Sequence, residues 1–148
     1  MNPERRIFYG LLDTPAQIDQ RAIGFKPNVE SLNLELCHAL LNSVIGVFYT
    51  EATGFPKGLA ALDNCAENVR KIKMLDPRRL TTDEAQRIQC SFRPLLSRKI
   101  KTTEEEYSQD DRLAFERTVA DVYGYSAAFD KVLGCILEMQ RVRLSVRA

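Results

Sequence analysis

The chain has no tryptophan, one histidine and almost no charge imbalance, with 21 Lys/Arg against 20 Asp/Glu for a formal net charge of +1. Each shortage excludes something. A lone histidine rules out histidine-rich metal sites and multi-histidine mechanisms within one copy. Near-neutrality leaves no overall electrostatic pull toward nucleic acid or an acidic surface. No Gly-rich phosphate loop, Gly-x-Ser-x-Gly or His-Glu-x-x-His occurs, so the motif-bearing enzyme classes find no foothold. No long apolar run is uninterrupted either. The most apolar long segment, residues 29–52, is punctured by Glu30, Asn33, Glu35, His38, Asn42 and Glu51, which argues against a membrane span. Near the start, six residues between Arg6 and Asp13 are too few for a secretory core. The four cysteines, Cys37, Cys65, Cys90 and Cys135, form no Cys-x-x-Cys pair. Cys37 and Cys65 fall on apolar helical stripes, so buried free thiols in a reducing, cytoplasmic setting are expected.

What the chain does have is apolar residues at helical period. Its 148 residues suit one domain, 1–148, able to bury a core without staples. Asn2-Pro3-Glu4 reads as a helix opening, and Thr14-Pro15-Ala16-Gln17 as a capping box; these give short N-terminal helices within residues 1–27, packing on the rest. Asn28 then caps a long helix over 29–52, whose apolar stripe is wide enough to make it the central element. Leu59, Leu62, Cys65, Ala66, Val69 and Ile72 predict a helix over 57–75. A box at Thr81 to Glu84 opens a helix over 83–101, with Pro94 inside it as a kink. A further box at Thr103 to Glu106 opens the next helix, and Gly124 with Ser126 separates it from the last one. The expected fold is all-α: a bundle of about four main helices with one or two short N-terminal helices.

Charge is unevenly spread. Residues 70–101 hold ten Lys/Arg against Asp76, Asp83 and Glu84, a net of +7, between two acidic flanks. Within that centre the tetrapeptide Arg-Lys-Ile-Lys occurs twice, at 70–73 and 98–101. Both copies fall at predicted helix ends, where the macrodipole favours cations. The second copy needs no other explanation. The first is joined across a turn by Arg78 and Arg79, and Arg70, Lys71, Lys73, Arg78 and Arg79 form a basic corner. That corner suits an acidic protein surface, the acidic stretch at 103–111 of this chain, or phosphates.

Glu35 and His38 make one Glu-x-x-His, half of a di-iron bundle site, which only a symmetric dimer would complete. An ordinary polar pair is the simpler reading, and no metal or cofactor is expected. At the C-terminus Arg141, Arg143 and Arg147 alternate with apolar residues, so residues 141–148 are either a fraying helix end or an extended arm for a partner. Tyr123 and Tyr125 flank Gly124 as packing residues at a helix junction. The function expected from all this is non-catalytic: a helical-bundle subunit or adaptor that acts by protein–protein binding or self-association. Its site is the basic corner with the C-terminal arginines. The alternative is a nucleic-acid-binding accessory subunit that uses the same corner.

Overall fold

Seven α-helices, two 3-10 turns and one short β-hairpin make up the regular structure of the computed structural model, which describes residues 5–17, 23, 24, 26, 29, 31–57 and 61–145. The all-helical class expected from the periodicity holds. Its internal divisions differ, and each difference has a local cause. Asn2-Pro3-Glu4, Asn28 and Arg147 lie outside the described residues.

The N-terminal segment is not helical over residues 5–17. It runs instead as a strap. Tyr9 N donates to Asn42 Oδ1 at 2.8 Å, and its carbonyl accepts from Asn42 Nδ2 at 3.0 Å. Strap main chain that bonds to side chains of the fold has no need of its own helical ladder.

The single helix expected over 29–52 is two helices, α1 (Leu34–Leu41) and α2 (Val44–Thr53). Asn33 caps α1 through its side chain, which accepts from the Leu36 amide at 3.0 Å. The break falls at Asn42 and Ser43, both fully buried.

The helix expected over 57–75 is replaced by a hairpin, β1 (Phe55–Lys57) with β2 (Ala61–Asp63), and the one-turn helix α3 (Ala66–Val69). Leu62, read from its spacing as helical, is drawn into the core next to Gly54. A Cβ on that glycine would meet Leu62 Cδ1 at 2.5 Å. Burying one leucine outweighs the weak helical preference of a segment containing Pro56 and Gly58. In consequence Cys65 is exposed, as are Cys90 and Cys135, while Cys37 is half-buried. All four are free thiols, but they are not the buried ones the stripes suggested.

Helix α4 (Thr82–Leu96) opens on the expected capping box, with Thr81 and Glu84 bonded reciprocally. It ends two residues after Pro94, so the second basic tetrapeptide lies past the helix rather than in its last turn. The next box is shifted by one residue: Thr102 and Glu105 form it, opening the one-turn α5 (Thr103–Glu106). After a break, α6 (Asp110–Tyr123) ends on Gly124, whose φ of 74° is the left-handed conformation that glycine adopts without strain. Helix α7 (Phe129–Ser145) closes the described chain.

Helix α6, rather than 29–52, is the central element. One face carries Phe115 and Val119 into a cluster with Leu36, Leu40, Ile88, Phe92 and Leu95 of α1 and α4. The other places Ala120 in a second cluster with Val44, Val47, Leu62 and Ile136, between α2 and α7. Packed on two sides, α6 also buries two charged residues, Arg112 and Glu116.

Candidate interaction surface

Three arginine–carboxylate groups show how the chain disposes of its charges. The deepest is on α6. Arg112 and Glu116 stand one turn apart with Nη2 2.7 Å from Oε1, their side chains 3% and 0% exposed. Isolated, such a pair would barely offset the cost of its own desolvation. Here each partner also completes a cut helix end. Arg112 Nη2 donates to the Asn42 carbonyl at the end of α1 (2.6 Å), and the Val44 amide at the start of α2 donates to Glu116 Oε2 (2.8 Å). The cation therefore sits at the negative end of one helix and the anion at the positive end of the next. Burial pushes the Glu116 carboxyl above its usual range, against the pull of Arg112 and the Val44 amide. Tyr107 lies under the guanidinium, 4.8 Å from its ring centre, and burial raises its hydroxyl too.

The second group joins α2 to α7. Arg143 holds Glu51 through two bonds of 2.5 and 3.0 Å, with both side chains buried. The third is the second basic tetrapeptide itself. Arg98 forks onto Glu106 (2.7 and 3.0 Å) and onto Asp111 (2.6 and 2.9 Å). Lys101 adds its amide to Glu106 and its ammonium to Gln109. The acidic stretch at 103–111 is thus gripped by the second basic copy, not by the first. Burial pushes Glu106 up, but Arg98 and the Lys101 amide outweigh it and hold the carboxyl below its usual range; Arg98 does the same for Asp111.

The first copy is disposed differently. Arg70, Lys71, Lys73, Arg78 and Arg79 are all exposed. Arg70 closes the one-turn α3, so helix-end electrostatics account for one of these charges and not for five. Lys71 pairs with Glu67 at 3.2 Å, both side chains well exposed, and Arg78 forks onto Asp76. Hydrogen bonds from Arg78 hold the Asp76 carboxyl down to about 2. Arg70, Lys73 and Arg79 have no ion-pair partner among the described residues. The segment is anchored rather than loose: Asp76 and Pro77 open a 3-10 turn, Leu75 and Leu80 pack against the α1/α4 cluster, and the Tyr123 hydroxyl donates to the Asp76 carbonyl at 3.0 Å. Burial pushes that hydroxyl up to about 12.

The C-terminal arginines divide. Arg141 is exposed and pairs with Glu138 one turn back, whereas Arg143 is buried on Glu51 and therefore does not face outward with it. Both are helical, so the extended arm does not begin at residue 141. Glu35 and His38 also part company. Exposed Glu35 accepts from Gln89 of α4, while the buried His38 ring sits with Nε2 2.6 Å from the Tyr9 carbonyl. Among the described residues, no group of three or more His, Cys, Asp or Glu is placed to hold a metal ion, and no helix is long and apolar enough to cross a membrane.

Sequence reasoning missed Arg112, Glu116 and Glu51 as charges committed to the interior, and Arg98 as the partner of Glu106 and Asp111. A signal existed for one pair. An Arg and a Glu four apart among the apolar residues of α6 point to the buried face, where lone charges are excluded. No protein-family model, curated protein or solved structure matches this chain.

Proposed function

We propose that this chain acts by binding, as a non-catalytic subunit or adaptor whose contact surface is the exposed basic segment at residues 70–79. One observation carries the reading. Of the two copies of the same tetrapeptide, the second commits its Arg98 to Glu106 and Asp111, while the first presents Arg70 and Lys73, with Arg79 beside them, none with an ion-pair partner among the described residues. Fixing a loop of like charges by packing Leu75 and Leu80 costs ordering entropy without relieving the repulsion. A complementary acidic surface relieves it. Exposed Met74 lies among the cations, and no aromatic residue interleaves them. Mixed apolar and cationic contacts suit a protein partner, whereas single-stranded nucleic acid is typically held on stacking platforms. Three exposed thiols, Cys65, Cys90 and Cys135, fit a reducing cytoplasmic setting.

Light scattering behind a sizing column, at low and at high salt, tests this on the purified chain. The reading expects a complex or a self-associated form that loosens as salt rises, with no nucleic acid in its absorbance ratio. Nucleic acid that co-elutes at low salt and is lost at high salt would move the assignment to phosphate binding by the same residues.

A further inference from the structure

Between α3 and the 3-10 turn, residues 72–76 run without helix, turn or bend. The Ile72 amide still donates back to the Val69 carbonyl at 3.1 Å, and the Asp76 carbonyl accepts from the Tyr123 hydroxyl at 3.0 Å. Between those two bonds, neither main-chain group of Lys73, Met74 or Leu75 has a hydrogen-bond partner among the described residues. Main-chain N–H and C=O are obligatory bonding groups, and here water is left to serve them. The N-terminal strap, equally without regular structure, is the contrast. Its Arg5 carbonyl accepts from the Thr103 amide, and Tyr9 uses both of its main-chain groups on Asn42.

The unpaired stretch is nonetheless fixed. Leu75 packs into the α1/α4 cluster, the Tyr123 hydroxyl holds its far end, and Pro77, with no N–H to offer, closes it. A pinned run with free main-chain groups has the properties of an unpaired strand edge. Its charge selects what can pair there. Residues 67–79 hold five cations against Glu67 and Asp76, a net of +3, and Arg70, Lys73 and Arg79 have no ion-pair partner among the described residues. The same segment of a second copy would set like charges opposite each other, which disfavours pairing. An acidic strand meets the opposite sign.

We propose that residues 72–76 take an acidic segment of a partner protein as an added strand, main chain to main chain, with Arg70, Lys73 and Arg79 on its carboxylates. Main-chain bonds supply the grip in this mode and side chains the selectivity, with exposed Met74 as the apolar contact. The inference rests on the basic segment being the contact surface, and adds the way it is used.

Titrating the full chain with a capped synthetic peptide, Glu-Val-Glu-Val-Glu-Val-Glu, tests it by amide hydrogen exchange. Alternate amides of a paired strand face the partner. Binding should therefore slow exchange at Met74 and Asp76, or else at Lys73 and Leu75, about tenfold or more, and spare the other pair. It should weaken as salt rises and be lost in R70E/K73E/R79E. Should that variant fail to fold, the peptide with lysine at each glutamate decides on the parent chain, where it should not bind. Salt-sensitive binding without the alternation overturns strand addition and leaves the basic segment as the contact surface. Binding unchanged by the charge reversal overturns the reading of the segment as well. Oligothymidylate that binds where the peptide does not would overturn the proposal in favour of phosphates.

Discussion

Arg98 and Arg79 look alike in the sequence, each beside another cation in the same basic centre, and their surroundings make them opposites. Arg98 is three-quarters covered and serves two carboxylates; removing it strands Glu106, which is 6% exposed, without a counter-charge. The Arg98→Ala variant should lose about 2 kcal/mol, less than a fully buried pair because water screens part of it. Arg79→Ala should stay within about 0.5 kcal/mol of the parent, as surface changes do. Urea unfolding midpoints check both. On α6 the contrast is sharper. Arg112→Met alone leaves the Glu116 carboxyl without its partner in the core, at a cost of about 3–5 kcal/mol, whereas R112M/E116L should cost less than that single change. Little of this was legible. The repeated tetrapeptide was visible, but which copy is paired within the fold depends on Asp111, thirteen residues past Arg98, and on a chain path that brings it back.

Two element ends set by their own residues were read correctly. Thr81 caps α4 through a box with Glu84, and Gly124 ends α6 in the one conformation that favours glycine. Thr81→Ala should therefore cost about 1 kcal/mol, and Gly124→Ala about as much, the first by orphaning an amide and the second by strain at positive φ. Thermal unfolding of the two variants measures both. Elements whose ends are set from far away were misread. Nothing within 29–52 announces a break strongly enough, because the groups that stabilise it, Arg112 and Glu116, come from about seventy residues later. The 57–75 stripe failed for the same reason, since Leu62 is claimed by the core next to Gly54. Local chemistry sets the ends at Thr81 and Gly124, and tertiary contacts cut the helices at 42–43 and 57–75.

For the molecule as a whole, most resolved carboxyl shifts point one way. Glu106 and Asp111, beside Arg98, titrate below their usual range, as do Glu84, Glu105 and Glu138 at the surface. A depressed carboxyl binds its proton more weakly in the folded state, so its contribution is present above the unfolded value and is lost as the pH falls through the folded one. Glu116 is raised and acts in the opposite sense, favouring the fold at lower pH. The depressed groups outnumber it, so stability should be flat near neutrality and fall below about pH 4. In Arg98→Ala that acid limb should flatten, which a series of urea midpoints between neutral and acid pH would register.

The division of labour between the two basic tetrapeptides is the claim on which the functional reading stands. Its most direct test is light scattering behind a sizing column on the parent chain beside R70E/K73E/R79E, with the melting midpoint of each recorded in parallel. The account predicts unchanged melting and loss of the assembled form in the variant. An assembled form that survives the charge reversal intact would contradict it.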